Sequence, residues 1–133
     1  MATIHIPDAF LAAKLLALET NALKCVLIDI STYNQATDTV LADLTQVTGT
    51  GYTAGGQAVT SVDVAADTTN HWTTVVITPS VWAGSTTISA TGAAIIDTTD
   101  GNKIIAIDDF GATVASSGGT YTVNAITLKF THF

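Results

Sequence analysis

The pattern of apolar and polar positions separates a short helical segment at the start of the chain from a long series of strand-like segments. After Pro7, apolar residues recur at steps of three and four residues as far as Glu19, which is the period of an amphipathic helix. Asp8 stands where an N-cap residue is expected. We expect residues 1–20 to form an N-terminal arm and helix. The residues assigned to the apolar face, which should pack on a sheet or on a neighbouring subunit, are Phe10, Leu11, Leu15 and Leu18.

Residues 22–133 are predicted to form a β domain, because Thr, Val and Ile are abundant there and favour pleated strands. The first segment, 22–30, is apolar without alternation and predicts a strand covered on both faces over part of its length. Further strands are predicted at 46–52, 58–64, 73–77, 86–90, 93–97, 103–107, 121–124 and 126–133. One face of the last strand carries Ile126, Leu128, Phe130 and His132.

Turn signals separate these strands. Asp100-Gly101 predicts a hairpin between 93–97 and 103–107, and Ala54-Gly55-Gly56-Gln57 predicts another turn. Turns at intervals of about 8 to 12 residues are typical of antiparallel sandwiches and barrels. The chain is therefore predicted to be mostly β, an antiparallel β-sandwich or jelly-roll-like barrel with a short N-terminal α-helix. Its 133 residues correspond to a single domain.

Composition adds information through the scarcity of charge. Charged residues make up 11% of the chain and hydrophobic residues 47%, whereas about 25% charged residues is usual in soluble domains. Four lysines, no arginine and eleven acidic residues give a net charge of −7, which disfavours nucleic acid and an anionic membrane surface as partners. The apolar runs are far shorter than the roughly 18 residues that a membrane span requires.

A protein partner is the better explanation for an apolar, weakly charged surface, because exposed apolar area is usually covered by another protein. Mean hydropathy is +0.44, which is high for a soluble monomer. We therefore expect a homo-oligomer, a trimer or a dimer.

Three groups of polar residues, most of them acidic, contain the side-chain types found in metal or catalytic sites. The groups are Asp97, Asp100 and Asn102; Asp108 and Asp109; and Asp63, Asp67 and His71. The first lacks the spacing and the final Glu of a calcium loop and favours a turn. The second ends a predicted strand, where adjacent side chains point to opposite faces. A metal site at the third group is the less favoured alternative to a strand followed by a polar loop. We expect no catalytic, cofactor-binding or metal-binding residue and no enzymatic activity.

Three other side chains with chemical potential are expected to pack. Cys25 lies in an apolar segment and has no second cysteine to pair with, so it is predicted to be a small buried hydrophobe. Trp72 and Trp82 lie on either side of Pro79. Exposed tryptophans can stack on sugar rings, which makes a carbohydrate-binding domain an alternative, but tryptophan is more often a core or interface anchor.

Four glycines, Gly49, Gly51, Gly55 and Gly56, lie close together around Tyr52. A phosphate-binding loop would need a following helix and nearby basic residues, and the sequence has neither. A backbone role requires only positive φ angles or a close chain approach. We predict a strand, a bulge and a tight turn here, with Tyr52 packed against the sheet or an interface.

The sequence from 47 to 56, Val-Thr-Gly-Thr-Gly-Tyr-Thr-Ala-Gly-Gly, resembles a group of small virion proteins of tailed bacteriophages. The resemblance extends in order over most of the chain: the strand at 24–28, the stretch from Tyr33 to Leu44, Trp82, the segment 93–97, Asp109-Phe110-Gly111, and 117–123. The lysine-poor, alanine-rich body departs from the usual pattern.

The resemblance implies a structural part of a phage particle, made in the bacterial cytoplasm and incorporated into the virion. The leading expectation is a capsid decoration (cement) protein that binds the major capsid protein or other virion proteins and stabilises the head shell. The alternatives are a neck or tail component and a glycan-binding fibre domain. The interface candidates are Phe10, Leu11, Leu15, Leu18, Tyr52, Trp72 and Trp82.

Overall fold

The computed structural model of the chain describes residues 6–131. Its N-terminal segment is helical but broken into two pieces, α1 (Asp8–Leu15) and α2 (Ala17–Thr20). Pro7 occupies the N-cap position, so the prediction of Asp8 as the N-cap is wrong: Asp8 is the first helical residue and its carboxylate contacts His71 instead. A negative charge in the first turn still interacts favourably with the helix dipole.

Eight strands follow, and two short 3-10 helices, Ile30–Thr32 and Leu41–Asp43, lie between the first two. The strands are β1 (Leu23–Ile28), β2 (Gln57–Asp67), β3 (Trp72–Pro79), β4 (Trp82–Thr86), β5 (Ser89–Asp97), β6 (Lys103–Ala115), β7 (Gly119–Tyr121) and β8 (Ile126–Thr131). Six of them form one antiparallel sheet in the order β6-β5-β1-β2-β3-β8, and β4 pairs with β7 as a separate ribbon. The large sheet curls into a nearly closed barrel, which confirms a mostly-β, antiparallel, barrel-like fold.

Strand β1 is covered on both faces from Cys25 to Ile28, as predicted for part of its length from the apolar residues there. Cys25 and Leu27 face the interior of the barrel, in the larger of two apolar clusters. Val26 and Ile28 face outward into a second cluster with Ala94 and Ile96 of β5. The segment between β1 and β2 covers this outer cluster through Ile30, Leu41 and Leu44.

The predicted strand at 46–52 is wrong, because this part of the chain is a loop with isolated bridges at Gln46 and Thr50. The loop nevertheless completes the edge of β1 where β2 leaves it. The Val47 N–H donates to the Leu27 carbonyl at 3.1 Å, and the Leu27 N–H donates to the Tyr52 hydroxyl at 3.3 Å. Glycine-rich sequence prevents a regular strand here while still supplying partners for the backbone of β1.

Several strand boundaries differ from expectation. The predicted strand 93–97 is the end of a longer β5, β4 was not predicted as a strand, and β7 ends at Tyr121. Asp108 and Asp109 do not end a strand: β6 continues past them to Ala115 after a bend. The hairpin between β5 and β6 is confirmed, with positive φ angles at Gly101 and Asn102. His132 and Phe133 lie outside the described residues.

The two helices pack beside the part of β2 that extends beyond β1. Leu15 and Leu18 are half-buried against the inner cluster. Glu19 accepts a hydrogen bond from the Val64 N–H at 2.8 Å, so its carboxylate satisfies a backbone group on the edge of β2. His71 Nδ1 lies 3.1 Å from an Asp8 carboxylate oxygen and joins the start of α1 to the β2–β3 turn. The helices therefore cap the edge of a strand, although none of their residues is fully buried.

The substitution Leu15→Asp is expected to destabilise the fold by about 1–3 kcal/mol, because it places an unpaired carboxylate against the apolar inner cluster. Ala13→Asp, at an exposed position of the same helix, is the matched control and should cost only about 1 kcal/mol, from lower helix propensity and a negative charge in the last turn. Urea unfolding of both variants measures the difference, and equal midpoints would show that the helix does not pack as described.

Candidate functional site

The glycine-rich loop lies against β1 and the β4–β7 ribbon rather than around an open pocket. A Cβ atom at Gly56 would overlap the carbonyl oxygen of Cys25, and one at Gly51 would lie 2.7 Å from Thr86 Cγ2. Gly51, Gly55 and Gly56 all have positive φ. A side chain at Gly55, by contrast, would meet nothing within 4 Å. The loop thus needs glycine for close approach at Gly56 and only for conformation at Gly55.

Tyr52 anchors this loop to the core. Its hydroxyl donates to Gln46 Oε1 at 2.6 Å, and the same oxygen accepts the Gly55 N–H at 2.8 Å. Burial raises the pKa of Tyr52 to about 12, so the hydroxyl remains a neutral donor over the physiological pH range. The ring lies 6.0 Å from that of Trp82, which in turn meets Tyr121 edge-on at 6.2 Å. Tyr52 packs against the inner cluster, the first of the two locations predicted for it, the sheet or an interface.

The two tryptophans have different environments. Trp82 is 1% exposed and lies in the inner cluster, so it is a core residue that a sugar or a protein partner cannot reach in the folded chain. Its indole nitrogen has no hydrogen-bond partner among the described residues. Trp72 is half-buried on the outer face of β3, and the Lys129 ammonium lies 3.4 Å from its ring centroid. That cation already covers the ring face.

The acidic groups organise turns. Asp97 is buried, and its carboxylate accepts hydrogen bonds from the backbone N–H groups of Thr99 and Asp100 at 2.9 and 3.2 Å. Its second oxygen accepts a hydrogen bond from Asn21 Nδ2 at 2.7 Å. Asp67 accepts in the same way from Thr69 and Asn70 after β2. These bonds account for both clusters without a ligand. Within residues 6–131, no three His, Cys, Asp or Glu side chains come together as a metal site.

Cys25 is fully buried in the interior of the barrel. Desolvation, and to a lesser extent the charge of Asp108, raises the pKa of its thiol to about 12. A thiol that stays protonated is a poor nucleophile and a poor metal ligand. Its predicted role as a small core residue is confirmed.

The predicted helix-face residues divide into two groups. Leu11, Leu15 and Leu18 are half-buried, and the last two pack on the inner cluster. Phe10 points away from that cluster and is 55% exposed, with the Lys14 ammonium 5.5 Å from its ring centroid. Large apolar side chains exposed on this N-terminal segment are Ile6, Phe10 and Leu16.

A second surface is the seam between the two outer strands of the barrel, β6 and β8, which do not pair with each other. Val114 on β6 lies opposite buried Ala90, and Phe130 on β8 lies opposite buried Thr73. Directly opposed residues share a face of a sheet, so both side chains belong to the inner face. They are nevertheless 42% and 36% exposed. Sequence analysis placed Phe130 on an apolar face but did not find the seam, because nothing in a single sequence tells which strands close a barrel.

Comparison with protein-family models, with curated proteins and with solved structures finds no match to this chain. Among the helices of the described residues, none has the length and apolarity that crossing a membrane requires.

The pKa of Asp108 is raised by burial first and by the charge of Asp109 second. A carboxyl whose folded pKa exceeds its unfolded pKa stabilises the fold when protonated, and this contribution is lost as pH rises through the folded pKa. We therefore expect Asp108→Asn to raise the Tm at pH 7, and this advantage should shrink as the pH falls towards 4. Asp63→Asn, at an exposed carboxylate, is the control. Melting curves from pH 4 to pH 8 measure the effect, and an unchanged Tm for Asp108→Asn across that range would contradict it.

The glycine loop gives a steric prediction. Gly55→Ala should cost about 1–2 kcal/mol, the penalty of a left-handed backbone for a residue with a Cβ. Gly56→Ala should cost about 3 kcal/mol or more, because the same penalty is joined by overlap with the backbone of β1. Chemical denaturation of the two variants gives the comparison, and a Gly55→Ala loss equal to or larger than that of Gly56→Ala would show that the loop does not approach Cys25 as described.

Proposed function

We propose that this protein is a non-enzymatic structural component of a tailed-phage particle, a decoration protein that binds the outer head shell through its N-terminal helix. The observation that carries the proposal is that this N-terminal segment packs on the barrel on one side only. Leu15 and Leu18 contact the inner cluster, whereas Phe10, Leu16 and, just before the helix, Ile6 are exposed. A helix held on a rigid barrel with apolar residues directed outward is suited to docking on another protein.

The chemistry of such a contact is apolar burial. Phe10 is the most exposed large hydrophobic residue of the described chain, and aromatic side chains dominate the energetics of many interfaces. Lys14, whose ammonium lies 5.5 Å from the Phe10 ring centroid, can keep its charged end in water while its alkyl chain adds to the apolar contact. The resemblance to small virion proteins supports a shell protein as the partner.

A neck or tail component uses the same kind of contact and is the alternative within the structural class. Copy number separates the two: a decoration protein covers the shell in hundreds of copies, whereas a neck or tail ring has about six or twelve. The glycan-binding alternative gains no support from the tryptophans, because Trp82 is in the core and Lys129 lies over Trp72.

The proposal predicts that the double substitution Phe10→Ser and Leu16→Ser weakens binding to empty phage heads at least about tenfold, since it removes apolar area worth more than about 1.4 kcal/mol. Val81→Ser, at an equally exposed apolar residue remote from the helix in sequence, is the control and should bind normally. Co-sedimentation of purified protein with heads that lack it measures affinity and copies per head. Unchanged binding by the double variant would contradict the proposed contact, and saturation at about a dozen copies would favour the neck or tail.

A further inference from the structure

The free backbone groups of β6 can be identified from the ladder of hydrogen bonds. The Thr98 N–H donates to the Ala22 carbonyl, which makes that pair hydrogen-bonded at the end of the β1–β5 ladder. Bonded and non-bonded pairs alternate along an antiparallel ladder, and each residue of a central strand bonds to one neighbour only. Counting along β5, its even-numbered residues bond to β1. Their β6 partners, Ile104, Ile107 and Asp109, therefore direct N–H and C=O away from the sheet.

Part of this edge is already occupied. The Ile104 N–H donates to the Thr39 carbonyl at 3.0 Å, and Val40 bridges Lys103. Beyond Asp109 the strand bends, where the Asp109 carboxylate accepts the N–H of Gly111 at 2.9 Å. A short window around Ile107 and Asp109 remains between these two features, and residues 122–125 of the same chain line a cavity beside Asp109.

The free groups of β8 follow in the same way. The Val64 N–H donates to the Glu19 carboxylate, so the backbone N–H and C=O of Val64 point away from β3. Val64 and Val75 are therefore a non-hydrogen-bonded pair, and the backbone groups of Val75 point towards β8. The pair Val75–Leu128 is thus hydrogen-bonded, and the alternate residues Thr127, Lys129 and Thr131 direct their backbone groups to the open side.

The two edges carry opposite charges on the same face. Ile107 packs in the outer apolar cluster, so Asp109, two residues along the strand, also lies on the outer side. In β3, Val75 and Ile77 point into the inner cluster, so Trp72, an even-numbered residue, points to the outer side. Lys129 lies over the Trp72 ring and is therefore on the outer side as well. Asp109 and Lys129 are exposed. The inner side of each edge carries one of the exposed apolar residues Val114 and Phe130.

We propose that a second copy of this chain closes the seam, with β6 of each protomer pairing with β8 of the other around a two-fold axis parallel to the strands. In one chain β6 and β8 run in opposite directions, because five successive antiparallel pairings lie between them. A rotation about an axis along the strands preserves direction, so β6 meets the partner's strand antiparallel on both sides. In a pairing of Asp109 with Lys129 of the partner subunit, the backbone N–H and C=O groups at the two open edges lie opposite each other. The two side chains, which carry opposite charges, then lie on the same face of the sheet.

A second copy suits the seam better than an unrelated peptide because the two edges are complementary to each other. One partner satisfies both, and two-fold symmetry closes the assembly without leaving a free edge. In this register Phe130 lies opposite Asp108 of the partner subunit on the inner side of the joined sheet, and the partner covers part of its exposed ring. This inference does not depend on the shell-binding role, which uses the helix at Phe10.

The test is the oligomeric state of charge-reversed variants. Sedimentation equilibrium of the wild type at micromolar concentration should give about twice the 13.7 kDa of the chain. Asp109→Lys and Lys129→Asp should each raise the dimer dissociation constant at least about tenfold, because two like-charge contacts replace two opposite-charge contacts per dimer.

An equimolar mixture of the two variants should form a heterodimer with an affinity within about threefold of the wild type, since each variant edge then meets its complement. The double variant should dimerise by itself for the same reason. A dimer formed through β6 alone or β8 alone does not show this pattern. Asp63→Lys and Lys24→Asp make the same changes in net charge elsewhere and should leave the wild-type dimer unchanged.

Circular dichroism checks that each variant is folded. If a charge-reversed variant is unfolded, the single variants Asp109→Cys and Lys129→Cys replace it. Oxidation of an equimolar mixture of these two variants should then give a covalent dimer that contains one chain of each. A monomeric wild type at 100 µM, single variants that stay dimeric, or a folded mixture that stays monomeric would each overturn the proposal.

Discussion

The rest of the structure depends on the burial of β1 from Cys25 to Ile28 on both faces. Residues Cys25 to Ile28 have no exposed surface, and each face of the strand supports a separate apolar cluster. A strand buried on both faces and paired along both edges needs every one of its backbone groups satisfied. That requirement explains why β5 pairs with β1 over its full length, and why a loop and a tyrosine hydroxyl take over where β2 leaves.

The glycine-rich loop is best understood as part of this arrangement. Gly56 allows the chain to pass directly over the carbonyl of Cys25, and Gln46 holds Tyr52 and Gly55 together from the same side. Residues that looked like a nucleotide-binding signature therefore serve the core. The exposed apolar residues lie where this core ends, on an N-terminal helix that is only partly packed and on the two outer strands, β6 and β8.

The sequence was informative where local chemistry determines structure. The apolar run from Cys25 to Ile28, the Asp-Gly hairpin and the buried cysteine could all be predicted, because each follows from the residues within a few positions. The loop at 46–52 could not, since its Thr and Val content favours a strand, whereas the folded chain turns at Gly51, which has a positive φ and lies close to Thr86. Likewise, Trp82 and Phe10 are both apolar aromatics, and only the tertiary structure shows that the first is in the core and the second is exposed.

The pairing of β1 with β5 also has a consequence for how the chain folds. Leu23 is opposite Asp97, so the most apolar strand is synthesised long before the strand that covers its edge and before the hairpin that completes the sheet. Contacts between residues so distant in sequence form slowly, because the intervening chain must be ordered first. During translation the segment 23–28 is therefore an uncovered apolar strand with both edges free, the kind of segment that aggregates or binds a chaperone. A protein needed in many copies at once would experience this delay most acutely at the peak of its own synthesis.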